Sequence, residues 1–273
     1  MEYTHNDKII QINNEKQSLK INSTKHEGFW ELYAKNEWEP ETFKIFDRFI
    51  HPNSVYIDIG AWVGPTVLYA AQKARLSVAV EPDKDAYREL EQNIELNPEL
   101  KNKIKCKNIA ITEKNEIVKI YTREFSANSG SSILETQKTE EYYEVQGITF
   151  DELFKEFPLN EVSFIKIDIE GAEYYSVPEL KNILEKLEKH PTIYLSLHAP
   201  NLIEPLPKKK FKQFFHNLKM ERKVKLLTEK LVNSLGFYKY FYDTNGNVIN
   251  DRKSLSSIND KFISIVITDE KWK

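Results

Sequence analysis

The segment VYIDIGAWVG at Val55–Gly64 is the feature that most restricts the fold of this 273-residue chain. Its first five residues are β-branched or aromatic apart from one acid, as in a buried strand. Gly60 then permits a backbone conformation that a side chain would hinder, and Gly64 allows a ligand or the following helix to approach closely. A second apolar strand, Leu76–Val80, follows a predicted helix and ends at Glu81. This order of elements predicts a parallel α/β sheet with a nucleotide pocket at its edge.

Two carboxylates at the ends of these strands discriminate between nucleotide ligands. Asp58 stands two positions before Gly60, and Glu81 follows 23 residues later. A dinucleotide site would place a G-x-G-x-x-G turn around a pyrophosphate, and an acid at Asp58 would repel that anion. The acid instead suits the ammonium and sulfonium charges of S-adenosylmethionine, while Glu81 can accept both hydrogen bonds of a ribose diol. The spacing therefore favours S-adenosylmethionine over NAD. The alternative is a strand-to-helix turn that binds no ligand.

Four separated segments resemble those of FkbM-like S-adenosylmethionine-dependent methyltransferases, a class I family. They are VYIDIGAWVG (Val55–Gly64), VAVEPD (Val78–Asp83), GITFDEL (Gly147–Leu153) and FIKIDIEGAE (Phe164–Glu173). The first two are common to many class I enzymes, whereas the last two together are more specific. One departure is Trp62, where the family usually has asparagine. The resemblance spans about residues 38–267 and implies an α/β fold: a Rossmann-like sheet of seven strands with helices on both faces and an antiparallel last strand.

The chain is interpreted as two parts, residues 1–50 and 51–273. The first is a polar arm, mobile or strand-forming, followed by a helical cap. In the family such a segment lies over the cofactor pocket, so Trp38 and Glu39 are candidates for closing it, and core packing is an equal alternative for Trp38. The second part is the methyltransferase domain, in which alternation over about 116–145 predicts an inserted hairpin or loop. Class I methyltransferases often build acceptor specificity there, and a plain surface hairpin is the alternative.

Three further titratable residues collect at the carboxyl edge of the predicted sheet. Asp168 and Glu170 come from the strand Phe164–Ile169 and the residue after it, and His198 ends the next strand. Side chains alternate along a strand, so Lys166 shares a face with Asp168, and a structural ion pair competes with a functional role. The carboxyl edge of a parallel sheet is where ligands bind, which favours the functional role.

The predicted cofactor site combines these strand ends with the turns that follow them. Asp58 and the Gly60 turn face the methionine end, Glu81 holds the ribose, and the end of the third strand, Ile104–Ile111, borders the adenine. The complete set is Asp58, Gly60, Ala61, Gly64, Glu81, Pro82, Asn108, Ile109 and Asp168. S-adenosylhomocysteine, the product, would leave the same pocket.

The resemblance implies methyl transfer to an oxygen of a small polar acceptor, such as a sugar or a nucleotide-activated cell-surface glycan (capsule) precursor. An alcohol must lose a proton near the moment of attack, and a general base contributes about 10²–10⁴-fold. His198 is the first candidate base because a histidine of ordinary pKa, about 6.5, is mainly neutral at pH 7; Asp168 and Glu170 are the second. A phosphate or phosphoramidate oxygen would need no base, and a noncatalytic binding protein is a further alternative. A divalent metal at these three residues is conceivable but not favoured.

The amino-acid composition limits the classes of partner that we expect this protein to bind. The formal net charge of −3 gives no general attraction to nucleic acid or to an anionic membrane. The single cysteine, Cys106, excludes an intramolecular disulfide and suits a reducing compartment. No stretch approaches the roughly 18 apolar residues of a membrane span, and residues 1–20 are too polar for a secretory signal. We therefore expect a cytoplasmic enzyme with a small-molecule partner, and the sequence leaves its oligomeric state open.

Overall fold

The computed structural model describes residues 8–13, 17–121, 142–203, 210–257 and 262–272. Its strands are β1 (Ile9–Asn13), β2 (Ser18–Asn22), β3 (Val55–Ile59), β4 (Leu76–Val80), β5 (Ile104–Lys107), β6 (Ala110–Ile111), β7 (Glu116–Tyr121), β8 (Tyr142–Ile148), β9 (Val162–Ile167), β10 (Thr192–Leu197), β11 (Tyr240–Asp243) and β12 (Ile263–Thr268). Its α-helices are α1 (Glu27–Ala34), α2 (Pro40–Phe49), α3 (Pro65–Ala71), α4 (Lys84–Glu95), α5 (Pro98–Lys101), α6 (Phe150–Glu156), α7 (Glu173–Ser176), α8 (Lys181–Leu184) and α9 (Lys210–Ser234). None of the helices in these ranges combines the length and the apolar character needed to cross a bilayer.

Seven strands form the main sheet, in the spatial order β11-β12-β10-β9-β3-β4-β5. Strands β10, β9, β3, β4 and β5 are parallel, and β12 runs antiparallel to both of its neighbours. The predicted seven-stranded sheet with an antiparallel last strand is therefore confirmed. The chain moves from β3 to β4 and β5 in one direction and then returns to place β9 on the other side of β3. The carboxyl ends of β3 and β9 thus form the switch point at which open α/β sheets bind ligands.

Alternate residues of the central strands enter two hydrophobic clusters, one on each face of the sheet. Ile57 and Leu195 pack with residues of α6 to α9 on one face. Tyr56 and Phe164 pack with residues of β1, β2 and α1 to α5 on the other. Strands buried on both faces explain why their sequences are almost continuously apolar. The prediction of helices on both faces is confirmed.

The polar arm forms strands. β1 and β2 pair antiparallel as a hairpin, with Ile12, Leu19 and Ile21 buried. The backbone N–H of Asn22 donates to Asn93 Oδ1 at 2.9 Å, which fixes the hairpin to α4. Residues of this arm share one hydrophobic cluster with the sheet. The boundary at residue 50 stays a prediction.

The cap contributes α1, α2 and the turn between them. The Trp38 ring lies 5.1 Å from the ring of Phe29 and 5.9 Å from that of Phe43. Core packing, one of the two predicted roles of Trp38, is thus what the structure shows. Pro40 occupies the first turn of α2, where its missing N–H and fixed φ are tolerated.

The predicted third strand, Ile104–Ile111, is wrong as a single element. β5 belongs to the main sheet, whereas β6 pairs parallel with β8 in a separate sheet of three strands. The interruption falls at Asn108, whose side-chain amide donates to the carbonyl oxygens of Glu81 and Pro82 at 2.8 and 3.0 Å. These bonds tie the chain to the end of β4 and turn it out of the main sheet.

The predicted insertion over about 116–145 contains a hairpin. β7 and β8 pair antiparallel from Glu116 with Gly147 to Tyr121 with Tyr142. The loop predicted between these strands, Ser126–Ser132, lies outside the described residues. The Tyr143 hydroxyl accepts the backbone N–H of Lys84 at 3.0 Å, so the hairpin contacts the first turn of α4.

Candidate functional site

A glycine turn leaves β3 at the switch point. Gly60 and Ala61 both donate their backbone N–H groups to the carbonyl oxygen of Val80, at 2.9 and 3.1 Å. Gly60 has φ +87°, and a Cβ built on it would lie 1.9 Å from the backbone oxygen of Asp168. Gly64, with φ +98°, precedes the first residue of α3. Only a residue without a side chain allows β3 and β9 to approach this closely.

Replacing Gly60 with alanine is expected to destabilise the fold by at least about 2 kcal/mol, because it combines a backbone clash with an unfavourable positive φ. Loss of cofactor binding should accompany it, since the turn must move. Urea unfolding and calorimetric titration measure the two effects. Gly28→Ala is the matched control, because nothing lies within 4 Å of its Cβ position. Similar effects of the two substitutions would contradict the close-approach argument.

Glu81 lies at the end of β4 and is nearly completely buried. Its Oε2 accepts the backbone N–H of Trp62 at 2.7 Å, and its Oε1 accepts that of Asp83 at 2.8 Å. Burial raises the pKa of Glu81 to about 8, although these two donors favour the ionised form. Trp62 adopts φ +49°, which aims its N–H at Glu81. Its ring packs edge-on against Phe29 and His26, at 4.6 and 4.9 Å, so the departure from the family pattern joins the turn to the cap.

The predicted adenine side of the pocket is held together by its own hydrogen bonds. The Asn108 amide is bonded to the main chain of Glu81 and Pro82, as described above. Ile109 is half-buried and packs against the hydrophobic cluster of the α6 to α9 face. The structure thus brings Asn108 and Ile109 beside the end of β4. Their contact with adenine stays a prediction.

A buried ion network lies beneath the glycine turn. Lys166 Nζ is 3.1 Å from Asp168 Oδ2 and 3.6 Å from Asp58 Oδ1, and Thr66 Oγ1 donates to Asp58 Oδ2 at 2.6 Å. Burial raises the pKa of Asp58 above its ordinary value. Burial acts in the same direction on Asp168, but Lys166 and His198 outweigh it and hold the pKa of Asp168 below its ordinary value. The ion pair anticipated as a structural alternative is therefore present.

Asp58 does not line the surface of the pocket. Its side chain is fully buried, whereas that of Asp168 is 27% exposed. Lys166 lies between the two carboxylates. Direct contact between Asp58 and a ligand would require this network to open. Of the two acids, Asp168 is the one placed to touch a ligand.

The structure brings the three predicted catalytic residues together. His198 Nε2 lies 3.3 Å from Asp168 Oδ1 and 3.9 Å from Glu170 Oε1. Its Nδ1 lies 3.3 Å from Glu173 Oε1. Burial acts to lower the pKa of His198, but the hydrogen bond to Glu173 and the charges of the three carboxylates outweigh it and raise the pKa to about 9. The premise that His198 is mainly neutral at pH 7 is therefore wrong, because three carboxylates face the ring.

Glu173 is the residue that the sequence reasoning missed, although it ends a quoted motif. It is fully buried at the start of α7. Its Oε1 accepts the backbone N–H of His198 at 2.6 Å, and its Oε2 accepts that of Gly171 at 2.8 Å. An acid within the apolar run that follows Gly171 was the available signal. Glu173 thus contacts both the backbone and the ring of His198.

Glu170 has an unusual backbone conformation, with φ +55°. Its Oε2 accepts a hydrogen bond from Asn201 Nδ2 at 2.7 Å, which joins the loop after β9 to the 3₁₀ turn after β10. Asp168, Glu170 and His198 offer ligand atoms that all lie within 4.8 Å of one another. A divalent cation could bind there, in competition with the proton on His198. The predicted alternative of a metal therefore has a geometrically possible site.

The sequence profile of the methyltransferase FkbM domain matches residues 58–198, just over half of the chain. The chain belongs to the FkbM methyltransferase family. The match begins at Asp58 and ends at His198, so it encloses the strands and turns of the site described above. This result confirms the family predicted from the sequence motifs and supports S-adenosylmethionine as the cofactor. No curated protein matches the chain significantly.

Several solved methyltransferase structures are similar to this FkbM-family chain at low identity. An FkbM methyltransferase from Methylobacillus flagellatus is 12% identical with a TM-score of 0.44, and the alignment covers 86% of this chain and 52% of that one. Trm5b from Pyrococcus abyssi is 14% identical with a TM-score of 0.39, covering 97% and 56%. TYW2 from M. jannaschii in complex with AdoMet is 14% identical with a TM-score of 0.38, covering 98% and 86%. This chain thus spans little more than half the length of the first two.

Proposed function

We propose that this FkbM-family chain transfers the methyl group of S-adenosylmethionine to a hydroxyl oxygen of a small polar acceptor. A sugar or a nucleotide-activated precursor of a cell-surface glycan (capsule) is the acceptor class that we favour. The observation that carries the proposal is the position of His198, which is held by Glu173 beside Asp168 at the switch point of the sheet. We further propose that the reaction takes place in the cytoplasm and involves neither nucleic acid nor a membrane, as the net charge of −3 suggests.

The residues at the switch point fit this cofactor. The absence of a side chain at Gly60 lets the turn after β3, where we assign the methionine end, pack directly against the backbone of Asp168. Glu81 presents a fixed carboxylate whose remaining lone pairs can accept the ribose hydroxyls. Asp168 supplies negative charge beside the turn. When bound, the cofactor supplies a sulfonium leaving group, so the chain has to orient the acceptor, exclude water and remove a proton.

His198 is the group that we assign to proton removal. Glu173 Oε1 faces Nδ1, so in the neutral ring the hydrogen on Nδ1 is favoured and the lone pair lies on Nε2. Nε2 is also the atom that faces Asp168 and Glu170. An acceptor hydroxyl placed between these groups can donate its proton to Nε2, and the neighbouring carboxylates stabilise the imidazolium that forms. Asp168 and Glu170 orient the acceptor in this arrangement.

The charge of the site favours a neutral acceptor over an anionic one. Among the described residues of this region, the carboxylates are Glu39, Asp58, Asp168, Glu170 and Glu173, and the cations are Lys166 and His198. This excess of acids would repel a phosphate or phosphoramidate oxygen. Methylation of such an oxygen without a base, and a noncatalytic binding role, remain the alternatives that experiment must separate from hydroxyl methylation.

Calorimetric titration with S-adenosylmethionine and S-adenosylhomocysteine, with NAD as the control, tests the cofactor assignment. We expect micromolar binding of the first two and none of NAD. Formation of S-adenosylhomocysteine over a panel of neutral sugars, nucleotide sugars and phosphorylated acceptors then tests the reaction. Turnover of neutral hydroxyl acceptors after exhaustive chelation supports the base mechanism. Turnover of phosphate acceptors alone would support methylation of a phosphate-type oxygen without a base. Cofactor binding without turnover would support a noncatalytic binding protein. Loss of activity on chelation would support a metal-dependent reaction.

Glu81→Gln is expected to weaken S-adenosylmethionine binding by tenfold or more. The substitution removes charge-assisted hydrogen bonds worth about 1.5–3 kcal/mol each, and 1.4 kcal/mol is about tenfold. The pKa of Glu81 is about 8, so the carboxyl is mainly protonated at pH 7. The ribose hydroxyls of the cofactor donate hydrogen bonds, which favour the ionised form of Glu81. We therefore expect Glu81 to release a proton when S-adenosylmethionine binds. Calorimetry in two buffers of different ionisation enthalpy measures that proton.

The control for this prediction is Glu95→Gln, since Glu95 is exposed at the end of α4. It should leave both affinity and proton release unchanged. Equal proton release by wild type and Glu81→Gln would exclude Glu81 as its source. Unchanged affinity in Glu81→Gln would defeat the ribose assignment.

A further inference from the structure

Glu39 has a backbone conformation that a residue with a side chain rarely adopts. It lies directly before α2 with φ +39° and ψ +55°, in the left-handed region, and Pro40 follows it. Such a conformation persists in a non-glycine residue only where the surrounding structure imposes it. Its side chain is partly exposed, as expected for a residue at the edge of a pocket.

A chain of hydrogen bonds connects the side chain of Glu39 to strand β10 of the main sheet. Thr42 Oγ1 donates to Glu39 Oε2 at 2.9 Å and lies 2.8 Å from the hydroxyl of Tyr194. Tyr194 belongs to β10 and is buried. The carboxylate therefore has a defined position relative to the central strands, although Glu39 comes from the cap.

Glu39 shares its surroundings with the ion network of the site. Phe164 and Tyr56 pack on the face that α2 covers, so Lys166 and Asp58, two residues further along their strands, lie on the same face. Burial and the charge of Asp168 raise the pKa of Glu39, and Lys166 acts against them. Lys166 thus feels the charges of Glu39, Asp58 and Asp168, and it pairs in register with Tyr194, the residue that Thr42 connects to Glu39.

We propose that Glu39, together with Asp168, binds the ammonium group of the methionyl part of S-adenosylmethionine. This inference rests on the cofactor assigned under the proposed function. An ammonium offers N–H donors to two carboxylates, whereas a sulfonium offers none. Ribose recognition is already assigned to Glu81, which lies at the end of β4 on the other side of β3. The cap therefore supplies a cofactor-binding residue that lies outside the 58–198 match.

The test compares ligands that differ in the methionyl part. S-adenosylhomocysteine and its decarboxylated analogue carry the ammonium, and 5′-methylthioadenosine lacks it. For Glu39→Gln we expect about tenfold weaker binding of the first two in calorimetry, and binding of 5′-methylthioadenosine within twofold of the wild type. Glu41→Gln, a neighbouring acid in the first turn of α2, is the matched control and should leave all three affinities unchanged.

Glu39→Gly separates binding from folding. Glycine relieves the positive φ, so this variant should melt at a higher temperature than the wild type while losing S-adenosylhomocysteine affinity by the same factor as Glu39→Gln. An equal loss for 5′-methylthioadenosine, or no loss for any ligand, would overturn the proposal and leave the cofactor site intact. If the wild type binds none of the three ligands, the cofactor assignment falls as well.

Discussion

Replacing His198 with alanine is expected to reduce turnover by about 10²–10⁴-fold, the usual contribution of a general base, with little change in S-adenosylmethionine binding. Nε2 of this ring faces the carboxylates that would orient an acceptor hydroxyl. The measurement is S-adenosylhomocysteine formation at saturating cofactor and acceptor. His51→Ala, at an exposed position after α2, is the matched control and should retain full turnover. Near-normal turnover by His198→Ala would contradict the base and favour an acceptor oxygen that carries no proton.

The pH profile gives this prediction a second readout. The pKa of His198 is raised to about 9, so the neutral base is a small fraction at pH 7. Turnover should therefore rise about tenfold per pH unit below that pKa and level off above it. Glu173→Gln removes an interaction that raises the pKa, so its profile should move to lower pH while its maximal rate falls. A profile that does not move would show that Glu173 has only a structural role.

Local pattern was sufficient to predict most of the fold. The apolar run of β3 is followed by Gly60 and that of β4 by Glu81, and both strands have the predicted bounds. The division of the third strand was not predictable in this way. It depends on hydrogen bonds from Asn108 to residues 26 and 27 positions earlier in the chain, which no periodicity reveals.

The site shows the same limit. Asp168, Glu170 and His198 were predictable because a parallel sheet brings the ends of its strands to one edge. The pKa of His198 was not predictable from the sequence. It depends on Glu173, which lies 25 positions earlier in the chain and contacts the imidazole ring. Glu39 could be placed near the pocket, but its left-handed backbone and its relation to Asp168 follow from how the cap packs on the sheet.

Lys166→Met is expected to destabilise the protein by about 3–5 kcal/mol near pH 7.5, because removing one partner of a buried ion network leaves charges without compensation. Lys166 is 4% exposed and lies between Asp58 and Asp168, both of which would lose their buried cation. Urea unfolding measures the difference from the wild type. Lys155→Met is the control, since Lys155 forms an exposed pair with Glu152 and its loss should not be measurable.

The pH dependence of that difference separates charge from packing. In the wild type, Lys166 helps to hold the pKa of Asp168 below its ordinary value, so this acid stabilises the fold above that value and loses its contribution on acidification. In Lys166→Met the pKa values of Asp58 and Asp168 should lie above their unfolded values, because burial is no longer opposed by the lysine. The folded variant then binds more protons than its unfolded chain at mildly acidic pH, and its stability increases as the pH falls toward 5. The difference in the free energy of unfolding between variant and wild type should therefore become smaller as the pH is lowered from 7.5 to 5. A difference that does not change with pH would mean that Lys166 acts through packing alone.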